Sequence, residues 1–156
     1  MLKKILVPID GSDNSISALK YAINFAKYTD GELKLIYIID ERELEGPLIE
    51  DIIASMGLTP YSDIRHKILE IMRERAQAIV SECENICKKS KIACSSKIAQ
   101  GIINKIICEE AKSLDLVILS SELERVFVHT KIHDMFFGSI TQHILHEAGC
   151  PVLIVK

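Results

Sequence analysis

Apolar residues follow two kinds of pattern along the chain. Residues 4–9 (KILVPI), 33–39 (LKLIYII) and 116–119 (LVIL), and Val152–Val155 (VLIV), are nearly continuous apolar runs. Such runs fit strands covered on both faces, as in a parallel sheet. Residues 92–99 (IACSSKIA) are more polar and predict a strand at a sheet edge. Between the runs, apolar residues recur every three or four positions, the period of one helix face. Ile16, Leu19, Ala22, Ile23 and Ala26 predict a helix capped by Ser12 and ended at Asp30-Gly31. Residues 62–89 carry a longer stripe through Ile64, Ile68, Ile71, Met72, Ala76, Ile79, Val80, Cys83 and Ile86. Residues 102–113, with Ile103, Ile106, Ile107 and Ala111, and Ser139–Glu147 predict two more helices. Residues 41–61 read as an irregular insertion with a short helix over 48–56, and residues 120–137 as a long loop.

Strand and helix thus alternate four times before a last strand. This predicts an α/β fold: a three-layer α/β/α sandwich around a five-stranded parallel sheet, within one domain spanning residues 1–156. In such sheets ligands sit at the carboxyl ends of the strands, where strand order reverses. The candidate ends are Asp10-Gly11-Ser12, Asp40, Gln100-Gly101 and Ser120-Ser121, joined by the helix start at Gly138-Ser139. Free N–H groups and the helix dipole make a helix start an anion site. The competing reading of Gly138-Ser139 is a turn and cap, with Ser139 and Gln142 as a capping box. Asp10, likewise, has a reading as the hydrogen-bonding residue of the turn that follows it.

Composition narrows the classes. With 156 residues and 48% hydrophobic residues, the chain is long and apolar enough for a packed core. No apolar run approaches the ~20 residues of a membrane span, and the run after Met1-Leu2-Lys3-Lys4 is too short for a signal-peptide core. A net charge of −3 provides no field that gathers nucleic acid, so neither membrane nor nucleic acid is an expected partner. The five cysteines (Cys83, Cys87, Cys94, Cys108, Cys150) contain no CxxC. They fit free thiols in a reducing cytoplasm, with Cys83 and Cys87 packed inward from one helix face.

The residues then carry a resemblance. PIDGS at the end of the first strand, YIIDERE at the end of the second, Gly101 before a helix, LDLVILSS, and GSITQHILHEAGCPVLIVK resemble the universal stress protein family along the whole chain. The resemblance implies a flavodoxin-like or Rossmann-like sheet of order 3-2-1-4-5. It implies a cytoplasmic homodimer, paired here through the edge strand Val152–Val155. It also implies a nucleotide, ATP or AMP (with Mg if ATP), in the branch that carries G-x2-G-x9-G-(S/T) after the fourth strand. Carried over, Asp10 faces the nucleoside, the Ile38 backbone meets adenine, and Gly138 and Ser139 end the motif. Pro8, Gly101 and Ser120 complete the nucleotide-binding set.

The motif itself is incomplete. Ser120 and Leu123 stand where its first two glycines belong, and fourteen residues separate Leu123 from Gly138 where the motif has nine. A phosphate cradle needs close backbone approach, often with positive φ, which Leu123 resists. Glu122 and Glu124 add repulsion that Arg125 and Lys131 can offset by turning inward. ATP is therefore expected to lose more affinity than AMP. The alternative is a family member without nucleotide, acting through protein contacts of the 120–137 loop. Phe127, Met135, Phe136 and Phe137 in that loop form either a lid or a partner surface. His129 and His133, at i, i+4, are the candidate metal ligands, but they lack the Glu of HExxH, and no metal is expected. No GxSxG, GxxxxGK(S/T) or Cys–His arrangement appears, so no catalytic residue is assigned and at most weak ATP hydrolysis is expected.

Overall fold

Lys4–Pro8 (β1) lies at the centre of a five-stranded sheet in the computed structural model, which describes residues 2–58, 61–121, 123 and 139–156. The other strands are Glu32–Ile39 (β2), Cys94–Gln100 (β3), Leu116–Ser120 (β4) and Val152–Val155 (β5). All pairings are parallel and the order is β3-β2-β1-β4-β5, as expected. The chain winds outward from β1 through β2 to β3, then crosses over to β4 and β5. The reversal point lies between β1 and β4.

The helices are Asp13–Thr29 (α1), Pro47–Ser55 (α2), Tyr61–Lys89 (α3), Ile103–Ala111 (α4) and Ser139–Glu147 (α5). Alternation along the strands splits the core in two. Ile5, Val7, Leu33, Leu35 and Tyr37 point to α1 and α3 and pack on Leu19, Ala76 and Val80. Leu6, Ile36, Val117 and Leu119 point the other way, onto Ile103, Ile107, Ile140 and Ile144 of α4 and α5. The apolar runs in the sequence exist because both faces of the central strands are covered.

Ser12 caps α1 as expected: its hydroxyl accepts from the Ser15 N–H at 3.1 Å. Removing such a cap costs about 1 kcal/mol. Asp30 ends α1 in the left-handed region at φ 51°. Ile71, counted in the α3 stripe, is 62% exposed. At ~100° per residue it lies about 200° around the helix from buried Leu69, so it belongs to the solvent face. Residues 41–58 are more regular than their composition suggests. Glu41–Leu44 forms a 3-10 turn, and α2 starts with Pro47 at its first position, where a missing N–H costs nothing. Arg65 of α3 holds that turn through Glu41 at 2.6 Å. Among the described residues no helix is long and apolar enough to cross a membrane.

Candidate functional site

A cleft of about 440 Å³, counting its part open to solvent, sits at the carboxyl ends of β1 and β2. The cleft straddles the end of the sheet, so both cores supply its walls. Ile9, Tyr37, Ile39 and Met72 form one wall, and Ile36, Ile38, Ile103 and Leu123 the other. Pro8, Asp10 and Asp40 line the same cleft and bring its two carboxylates.

The local sequence explains how Asp10 is held. Asp10 follows the end of β1, and its Oδ1 accepts the Ser12 N–H at 2.8 Å, closing a tight turn. Gly11 sits in that turn at φ 84°, and a Cβ there would lie 2.6 Å from Ile79 Cδ1. Only glycine satisfies both demands. The Asp10 N–H in turn donates to Ser15 Oγ at 3.4 Å. Asp10 therefore fulfils the turn role, and the same turn aims the residue into the cleft.

Backbone direction singles out Ile38. The Ile9 N–H donates to the Ile36 carbonyl, and the Gly101 N–H donates to the Ile39 carbonyl, both at 2.9 Å. Even-numbered residues of β2 thus present their peptide groups toward β1, odd-numbered ones toward β3. Pro8 pairs with Ile36, so extending the register brings Ile38 level with Asp10. The Ile38 N–H and C=O accordingly face the side where β1 has ended, beside the Asp10 turn.

The remaining sequence candidates are spread around this cleft. Gly101, at φ 141°, makes the turn after β3 and ties it to β2, but it does not line the cleft. Ser120 is fully buried at the end of β4, paired with Val155. Ser139 is exposed at the start of α5, and the Thr141 hydroxyl donates to the Ser121 carbonyl at 3.4 Å. That bond fixes the first turn of α5 beside the end of β4, on the far side of the reversal point. Gly138, His129 and His133 lie outside the described residues, as do Glu122, Glu124, Arg125, Lys131 and the four loop residues Phe127, Met135, Phe136 and Phe137. Among the described residues no group of three or more His, Cys, Asp or Glu is placed to hold a metal ion.

Sequence reasoning missed part of the site. Asp40 is only 2% exposed and takes a two-pronged grip from Arg42, whose Nε donates to Oδ1 at 2.7 Å and whose Nη2 meets Oδ2. The strand-end position of Asp40 was visible, and an Arg two residues on was the signal for its partner. Met72 reaches the cleft from α3, and Leu123 closes its other wall. The sequence marked both as apolar without showing where they point.

The profile of the universal stress protein family matches residues 1–156. The universal stress protein MJ0531 of Methanocaldococcus jannaschii is 28% identical over 158 residues, covering all of this chain and 83% of that protein. The solved structure of MJ0577 from the same organism aligns with a TM-score of 0.69 at 26% identity, over 100% of this chain and 96% of the other. A family protein from Arabidopsis thaliana, solved with AMP bound, aligns with a TM-score of 0.62, over 99% of this chain and 91% of that one. At 16% identity this last likeness is one of fold alone. With the whole chain matched and the sheet in the expected order, the protein belongs to the universal stress protein family.

Proposed function

We propose that this chain is a cytoplasmic stress-response module that binds the nucleoside end of an adenine nucleotide, and that it works by binding rather than by catalysis. The observation that carries this reading is the level placement of Asp10 and the Ile38 backbone beside an apolar slot. A purine face has the aliphatic side chains at the mouth of the cleft to stack on. The N–H and C=O of a single residue match the acceptor and donor on the adenine edge. The Asp10 carboxylate accepts hydrogen bonds from ribose hydroxyls and repels phosphate, so the anionic end belongs toward the start of α5 at Gly138-Ser139. The A. thaliana protein supports the reading to this extent: this fold has room for AMP.

Calorimetric titration with adenosine, AMP and ATP tests it. AMP and adenosine are expected to bind, and ATP to bind more weakly, because Leu123 occupies a position where backbone approach to phosphate is needed. Changing Glu122 and Glu124 together to Gln should then raise ATP affinity more than AMP affinity, since the repulsion scales with ligand charge. Failure of all three ligands to bind would overturn the nucleotide reading in favour of protein contacts at the 120–137 loop. With ATP in place, Mg would accompany the phosphates.

The proposal includes a homodimer built on β5. That strand forms a sheet edge, and Leu153 on it is 42% exposed. Tyr21 of α1, 60% exposed, lies against the same shallow hollow as Leu153, Ile154 and Val155. An apolar edge of this kind invites strand pairing. Sedimentation should give a dimer at micromolar concentration, and Leu153→Lys should shift it to monomer. A wild-type monomer would remove this part of the proposal.

A further inference from the structure

Three of the five cysteines meet on one side of the sheet. Register partners in a parallel pair point to the same face. Cys94 pairs with Leu33, which faces α1 and α3, so the Cys94 thiol faces α3. From the opposite side α3 presents Cys83 and Cys87, one turn apart and both fully buried. The chain passes from α3 to β3 through a short reversal. Lys91 adopts φ 58°, and the Ile92 N–H donates to the Cys87 carbonyl at 3.1 Å. This returns the chain so that Cys94 lies beside Cys87 in the same α3-facing core.

Position makes the two sulfurs unequal: Cys87 is fully buried, whereas Cys94 is only half-buried. The Cys94 thiol donates to the Ser95 carbonyl at 3.7 Å, and the neighbouring Cys87 side chain lowers its pKa against burial and nearby Glu84. The Cys94 side chain, together with burial, raises Cys87. Burial first, then neighbouring Glu82, raises Cys83 to about 11. Cys94 is also the most accessible of the three, because it is half-buried on an edge strand. A thiolate-prone, accessible cysteine beside a buried thiol is the arrangement of an attacking and a resolving pair.

We infer that Cys94 and Cys87 form a peroxide-oxidisable dithiol, Cys94 attacking and Cys87 resolving, which closes to a disulfide that pins the end of α3 to the first residue of β3. The Cys94 thiolate attacks one oxygen of hydrogen peroxide. An S–O bond forms, the O–O bond breaks, and the hydroxide released leaves as water with the proton the thiol had given up. The Cys87 sulfur then attacks the sulfur of the Cys94 sulfenic acid. The S–S bond forms, the S–O bond breaks, and the departing hydroxide takes the Cys87 proton as a second water. The two thiols lose two electrons and one peroxide gains them.

The test uses the full chain, equimolar hydrogen peroxide, alkylation under denaturing conditions and mass spectrometry. Two of the five thiols should disappear and return with dithiothreitol. Lys88, Lys89 and Lys91 lie between the two cysteines, so a non-reducing tryptic map should show residues 76–88 joined to 92–97, and fragmentation of that pair should place the bridge at Cys87 rather than at Cys83 on the same peptide. Cys94→Ser should abolish the loss of thiols and Cys83→Ser should leave it intact. Cys87→Ala should leave a sulfenic acid at Cys94 that dimedone traps. Should the Cys87 variant not fold, the fragmented wild-type map and the Cys83→Ser variant decide. Retention of all five thiols, a bridge through Cys83, or a bridge between chains would each overturn the inference.

Discussion

Asp10→Asn should weaken adenosine and AMP binding by roughly 10- to 100-fold while leaving the fold nearly as stable as the wild type. The two effects separate because Asp10 has two tasks. One is local: Oδ1 accepts the Ser12 N–H at 2.8 Å and shapes the turn into α1. Asparagine keeps that oxygen. The other is toward the ligand, where a carboxylate accepts from hydroxyls. An amide replaces one of its acceptors by a donor and removes the charge. Hydrogen bonds to charged groups contribute about 1.5–3 kcal/mol, which is the stated loss in affinity. The charge also sits beside the N-terminus of α1, where it adds about 0.3–1 kcal/mol of stability, so a small drop in urea midpoint is expected. Asp10→Ala should lose both tasks and fall further in stability, by about 1 kcal/mol more. Titration calorimetry beside urea unfolding checks both. Wild-type affinity in Asp10→Asn would place the ligand away from the Asp10 turn.

How far the sequence reached depends on whether a feature is periodic or positional. Strand runs and helix stripes are repeated signals, and they located the five strands and the major helices within a few residues. The Ser12 cap and the Asp30-Gly31 stop rest on local hydrogen-bonding chemistry, which neighbouring residues supply. Ile71 shows where periodicity fails: Met72, one residue on, faces the cleft, and a stripe that includes both is wider than the buried face. The 3-10 turn at Glu41–Leu44 was invisible because it is held by Arg65, distant in sequence. The cleft was legible through Asp10 and Ile38, which lie at strand ends. Its walls were not, because Met72, Ile103 and Leu123 come from three separate segments and meet only through tertiary packing. The meeting of Cys87 and Cys94 in one core was hidden for the same reason. It needs the β2–β3 register, whereas the sequence drew attention to the helical pair Cys83 and Cys87.

Leu123→Ala should destabilise the protein by about 2–4 kcal/mol. Leu123 stands where a glycine would serve a phosphate loop, yet it is only 9% exposed and packs in the core shared by Leu6, Ile36, Ile103, Ile140 and Ile144. Truncation removes that buried area and leaves a void between the sheet and the α4–α5 layer. Because Leu123 also borders the open cleft, water can fill part of the space, so the loss should stay below the upper limit of about 5 kcal/mol for such changes. Leu145→Ala is the matched control. It deletes the same atoms from a residue of α5 that is 40% exposed, and should cost about 0.5 kcal/mol or less. Urea unfolding of both variants measures the contrast. Alanine keeps a Cβ, so ATP affinity should not rise in Leu123→Ala. Leu123→Gly frees the backbone and should raise it, at a further stability cost. If Leu123→Ala unfolds like the control, the residue is not a core member, and the weaker ATP binding expected of this chain would have to come from the charges of Glu122 and Glu124 alone.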